Sequence, residues 1–130
     1  MRKLELDPDL DRVLNDPEYL ADPDEYLEAL LDAMVIVPTA REVDYPDEVL
    51  TPNFPWRVAG EADPPTIDVF TSPEVFADTY PASPSVRMPF LLLMISWPEG
   101  HALSVNPGGP VRMSWPAHKI HELQRLAAGR

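Results

Sequence analysis

A chain of 130 residues with 45% hydrophobic content is long enough for one domain with its own core and too short for two ordinary ones. It contains no cysteine, which excludes disulfides, thiolate catalysis and zinc-thiolate sites and suits a reducing compartment. A net charge of -12 repels phosphate backbones and anionic lipid, so neither nucleic acid nor membrane is expected as a partner, whereas a basic protein is permitted. The charge is segregated: residues 1–48 hold 15 acids and 4 bases, residues 49–85 hold 5 and 1, and residues 86–130 hold 2 and 5. No stretch reaches the roughly 20 apolar residues that span a bilayer. Met1 to Asp7 turns acidic where a signal peptide turns apolar, which points to the cytoplasm.

The first segment repeats one helix-start signal three times, at Asp7-Pro8-Asp9, Asp16-Pro17-Glu18 and Asp22-Pro23-Asp24. Each offers an Asp cap, a proline at the first helical position and an acid near the positive helix end. The first two lead into pieces too short to stand alone, so residues 1–22 read as an acidic, loosely helical arm. The third opens an amphipathic helix over roughly residues 23–33, with Tyr26, Leu27, Leu30, Leu31 and Met34 on one face and Asp24, Glu25, Glu28 and Asp32 on the other. Met34 to Val37 then turns β-branched and predicts a buried strand closed by Pro38.

Residues 39–53 read as a polar surface loop. Phe54 to Ala59 and Thr66 to Phe70 are strand-like, joined through Gly60 to Pro65 as a hairpin. Thr71-Ser72-Pro73-Glu74 predicts a capped helix start, with the helix running to about Tyr80. Pro81 to Ser85 is a linker. Val86 to Trp97 is undecided: its Phe90 to Ile95 is apolar on every side, so periodicity cannot separate a buried helix from a buried strand, and Pro89 with the leucines and methionine favours a helix weakly. Leu103 to Val105 is a short strand, Asn106 to Gly109 a turn in which a glycine takes positive φ, and Val111 to Trp115 a second extended segment. Pro116 opens a last helix whose apolar residues are Ile120, Leu123, Leu126 and Ala127. Trp56, Trp97 and Trp115, each beside a proline, are assigned first to core edges, with the lining of a recognition groove as the alternative.

No catalytic constellation stands out. Asp7 to Glu18 places acids at several positions of a calcium loop, but Arg12 stands where the sharp turn needs glycine and two prolines stiffen the run. Repeated helix caps account for these acids. His118 and His121 lie three apart on the last helix, and two ligands without a third are not a metal site. No serine lies in a nucleophile-elbow context. Gly108-Gly109 lacks the lysine and spacing of a phosphate-binding loop. Neither cofactor nor metal is expected.

Four segments together resemble the N-terminal domain of the SseB family: Ala29 to Pro38, Val69 to Glu74, Met88-Pro89-Phe90 to Trp97-Pro98, and Leu103 to Gly109. The resemblance covers about residues 24–128 in matching order. It implies an α+β domain widespread in bacteria, with Phe90 to Ile95 as a helix, no agreed catalytic residues, and members associated with secretion systems. The acidic arm is not recognised as family sequence, and no counterpart of the second domain of some members follows.

The combined expectation is an α+β fold: a single domain over residues 23–130, with a mixed sheet of about four or five strands covered by helices, preceded by the arm. The expected role is a non-enzymatic protein-interaction domain. Recognition is assigned to the strand-end turns Thr71, Ser72, Pro73, Glu74 and Asn106, Pro107, Gly108, Gly109, with Asp9, Asp11, Asp16 and Glu18 of the arm as electrostatic steering. The alternatives are an acidic immunity or inhibitor protein for a basic toxin or nuclease, and an enzyme, which would need a histidine, an acid and a hydroxyl converging in one pocket. Oligomeric state is left open.

Overall fold

In the computed structural model the described residues are 23–59, 64–109 and 112–129. The arm, with Asp9, Asp11, Asp16 and Glu18 and the acid pattern of residues 7–18, lies outside them.

The order of elements is α1 (Pro23–Leu31), β1 (Met34–Pro38), a 3-10 turn (Pro46–Leu50), β2 (Val58–Ala59), β3 (Thr66–Val69), α2 (Pro73–Thr79), β4 (Ser85–Pro89), α3 (Phe90–Ile95), β5 (Ala102–Val105), β6 (Met113–Trp115), a second 3-10 turn (Ala117–Lys119) and α4 (Ile120–Ala128). The α+β class is as expected, with the strands distributed over two sheets. One is the antiparallel pair β1-β4; the other runs β2-β3-β5-β6, with β3 and β5 parallel and the outer pairs antiparallel. The sheets join where Ile36 and Phe70 exchange backbone hydrogen bonds of 2.7 and 2.9 Å.

Alternation explains the layers. Val35 and Val37 of β1, Ile67 and Val69 of β3, and Leu103 and Val105 of β5 enter one buried cluster with Leu30 of α1, Phe90 and Leu93 of α3, and Ile120 and Leu123 of α4. The intervening residues Ile36, Asp68, Phe70, Ser104 and Asn106 point to the opposite side. There Phe70 packs edge-on against Phe76 of α2 and against Tyr80, at ring separations of 5.5 and 5.8 Å. Helix α2 therefore covers the face that the main core does not.

Several elements differ from the sequence expectation. Ser85 to Pro89, assigned to a linker and an undecided segment, is strand β4, with Val86 and Met88 buried and Ser85, Arg87 and Pro89 exposed. Proline is tolerated there because β4 is an edge strand. Phe90 to Ile95 is a helix, as the family resemblance implied. Of Phe54 to Ala59 only Val58 and Ala59 form a strand; Trp56 bridges instead to Thr39. Pro55 has no N–H to donate to a ladder. Residues 46–50 coil into a 3-10 turn that buries Val49, held by Glu48 Oε2 accepting the N–H groups of Asp44 and Tyr45 at 3.0 and 3.1 Å. In α4, Ile120, Leu123 and Ala127 are buried while Leu126 is 47% exposed.

Candidate functional site

Parallel pairing sets Val69 opposite Val105, so the chain leaves β3 and β5 at the same edge of the sheet. This brings Thr71-Ser72-Pro73-Glu74 and Asn106-Pro107-Gly108-Gly109 together although they are far apart in sequence. Asn106 joins them. Its Oδ1 accepts the Thr71 N–H at 2.9 Å and the Ser72 N–H at 3.4 Å, and its Nδ2 donates to Thr71 Oγ1 at 2.8 Å. Its own N–H donates to the Val69 carbonyl at 2.8 Å, and its carbonyl accepts from Gly109 at 3.0 Å. Asn106 and Thr71 are both fully buried, where each unmade hydrogen bond carries its whole desolvation cost.

The backbone supports the same contact. Asn106 has φ 53 and Gly108 φ 85, a conformation that asparagine and glycine adopt more readily than other residues. Gly109 is needed for close approach: a Cβ there would lie 3.1 and 3.3 Å from the two methyls of Val75 in α2. Helix α2 starts as the sequence predicts, with Ser72 Oγ accepting the Val75 N–H at 3.3 Å and Pro73 in its first turn. Thr79 donates to the Pro107 carbonyl at 3.4 Å. The eight turn residues thus divide into three groups. Thr71, Asn106 and Gly109 are buried and hold the turns, Ser72 and Pro107 are half-buried, and Pro73, Glu74 and Gly108 are exposed where a partner can reach them.

Beside this surface lies a cluster that sequence reasoning missed. Asp68, 8% exposed on the α2 side of β3, accepts a 2.6 Å hydrogen bond from the Tyr80 hydroxyl. The Arg57 guanidinium sits 4.7 Å above the Tyr80 ring and donates to Ser83 Oγ at 2.8 Å. Burial raises the Asp68 pKa above its ordinary 3.8, a shift the Tyr80 hydrogen bond opposes. Burial first, and then the neighbouring Asp68, also push the Tyr80 hydroxyl upward. The only sequence signal was an acid between Ile67 and Val69, which alternation reads as an outward-facing residue.

The sign of the Asp68 shift fixes its effect on stability. The folded state favours the neutral carboxyl, so the contribution of Asp68 is fully present below 3.8 and is lost as pH rises through the raised native value. Asp68→Asn keeps an acceptor for Tyr80 and cannot ionise. We expect its stability relative to the parent, followed by urea unfolding from about pH 4 to pH 8, to improve as pH rises. Parallel profiles for the two proteins would refute this account.

The three histidines divide between one cavity and the turn beside it. His101 and His121 line a cavity of about 220 Å³ with Trp97, Glu99 and Gln124, and His118 is exposed on the neighbouring 3-10 turn. The Trp97 indole N–H donates to the His101 carbonyl at 2.9 Å, and Gln124 Nε2 donates to Met94 O at 3.0 Å. Among the described residues no group of three or more His, Cys, Asp or Glu side chains could hold a metal ion. Within the same residues no helix is long and apolar enough to cross a membrane.

Comparison with known families gives a match to the SseB protein N-terminal domain over residues 10–122. The chain belongs to this family. The matched region includes the strand-end turns, the Asn106 junction and the Asp68 cluster. It begins inside the segment read as an acidic arm, so residues 10–22 are part of the SseB match. No curated protein and no solved structure matches the chain.

Proposed function

We propose that this SseB N-terminal domain is a non-enzymatic interaction module for a basic protein partner. The observation that carries the reading is the Asn106 junction. It binds two chain segments into one rigid edge, spends its polar groups internally, and presents Pro73, Glu74 and Gly108 to solvent. A surface held this firmly loses little conformational freedom on binding. Glu74 lies in the first turn of α2 on a chain of net charge -12, so the field around it attracts cationic surfaces. Asp9, Asp11, Asp16 and Glu18 are among the acids that make up that net charge. The family's association with secretion systems suggests a setting in which the partner is another component or cargo, met in the cytoplasm.

Affinity capture with cross-linking and mass spectrometry tests this reading, comparing the full chain, Glu74→Lys and a chain lacking residues 1–22. The expected result is a basic partner released by salt, cross-linked near α2, and recovered several-fold less by both variants. Recovery of no such partner, or identical behaviour of all three proteins, counts against the proposal.

A further inference from the structure

On the side of the molecule built by the first 3-10 turn and α3 lies an open groove of about 450 Å³, lined by Leu50, Trp56, Ile95 and Pro98 among others and by no charged residue. Leu50 is 57% and Ile95 70% exposed, although the neighbouring apolar residues of the same short elements, Val49, Leu93 and Met94, are buried in the core. The half-buried Trp56 is braced edge-on by Phe54 at 4.7 Å and Trp97 at 5.9 Å. Tyr45, Val58 and Leu126, the other large apolar residues exposed among the described ones, line neither this groove nor the cavity beside His101. An uncharged lining of this kind gains from being covered by apolar side chains, and charge plays no part in choosing them.

The chain carries a segment with the matching need. Leu10, Val13 and Leu14 follow the Asp7-Pro8 helix start at the i, i+3, i+4 spacing of one helix face, and Asp9, Asp11, Arg12, Asn15 and Asp16 fall on the remaining arc. A helix this short is marginal in water on its own and depends on docking its apolar face. The SseB match begins at Leu10, so these three side chains belong to the family's domain and not to a tail added in front of it. Reach is sufficient. The Phe90 N–H bonds the Ala33 carbonyl, which ties the end of α1 to the start of α3. Even laid end to end, the 9 residues of α1 and the 6 of α3 keep Ile95 within about 30 Å of Pro23, and their shared cluster of Leu30, Phe90 and Leu93 makes the separation shorter. The nine residues from Leu14 to Asp22 span up to about 30 Å when extended.

We propose that residues 10–14 of this same chain occupy the groove, with Leu10, Val13 and Leu14 directed at Leu50, Trp56 and Ile95 and with Asp9, Asp11 and Asp16 left on the solvent side. The tether holds the segment at a local concentration on the order of millimolar. That favours it as occupant over a second copy or a separate protein, neither of which is tethered. The contact is local: it opens and closes without unfolding the core. It concerns the chain's own packing and does not rest on the reading of the domain as an interaction module.

The chain has no cysteine, so Asn15→Cys provides a single attachment point for a nitroxide on the full isotope-labelled protein. Paramagnetic broadening of the NMR signals should be several-fold stronger at the amides of residues 49–51 and 95–97 and at the Trp56 indole than over the rest of the domain. It should be lost from those positions in the Leu10→Gln, Leu14→Gln double variant and, independently, in Leu50→Gln, Ile95→Gln. Because the contact is local and Leu50 and Ile95 are exposed, both double variants should keep the parent's urea midpoint and the signals of residues 71–74 and 106–109, the check that the core is intact. Broadening centred on another surface, broadening spread evenly, or groove broadening that both double variants leave unchanged would overturn the proposal. Groove broadening that fades on dilution would also overturn it, by assigning the occupant to a second copy. None of these outcomes bears on the interaction reading, which fails separately through the capture experiment with Glu74→Lys.

Discussion

Replacing Asn106 with alanine is expected to destabilise the domain by about 3 kcal/mol or more, read as a lowered urea midpoint with an unchanged slope. The substitution leaves the Thr71 N–H and Thr71 Oγ1 without their partner at a fully buried position, and each such orphan costs about 1–3 kcal/mol. Alanine must also hold φ near 53, where a residue without a compensating side-chain hydrogen bond is disfavoured by about 1–2 kcal/mol. Asn106→Asp should fall between the two proteins. It keeps the acceptor for the Thr71 and Ser72 N–H groups and lets the Thr71 hydroxyl donate back, but it buries a charge. A loss below about 1 kcal/mol for the alanine variant would mean that water or a neighbouring group takes over the orphaned donors. In that case the two turns would not be held by this residue, and the rigid surface of the proposed function would lose its basis.

Phe90→Ala is expected to cost about 3–5 kcal/mol, whereas Ile95→Ala in the same six-residue helix should change stability by no more than about 0.5 kcal/mol. Phe90 is fully buried where β4 ends and α3 begins, and its N–H donates to the Ala33 carbonyl at 2.9 Å, tying α3 to the chain between α1 and β1. Truncation would keep that backbone bond but remove a fully buried ring from the core and leave a cavity that so short a helix could close only by shifting. Ile95 points the other way and is 70% exposed. Chemical denaturation of the two variants separates the faces of α3 directly. A large loss at Ile95 would show that this residue is packed.

The elements legible in the sequence are those whose cause is local. The spacing of Leu27, Leu30 and Leu31 builds α1, the Ser72-Pro73-Glu74 start builds α2, and the β-branched run Val35-Ile36-Val37 builds β1. The turn at Asn106 to Gly109 belongs to the same class. In each, the interaction that selects the conformation joins residues within about four positions of one another, so the order of residue types carries it.

The remaining features depend on partners distant in sequence. Ser85 to Pro89 is a strand because β1 pairs with it, Met34 opposite Pro89 through Pro38 opposite Ser85; alone it is a short, proline-ended stretch with only two buried side chains. Phe90 to Ile95 is apolar on every side, and the packing that buries Phe90, Leu93 and Met94 left Ile95 facing solvent. Asp68 reads as a solvent-facing strand residue until Tyr80 and Arg57 close over it from beyond α2. The candidate site divides in the same way. The two turns were visible separately as a helix cap and a glycine turn, but the register of β3 against β5 sets them side by side, and Asn106 then bonds to Thr71 across 35 positions. Sequence by itself determined the pieces, because capping and periodicity act within a turn or two of chain. Tertiary structure decided which pieces meet, because strand register and burial are set only when the whole core closes.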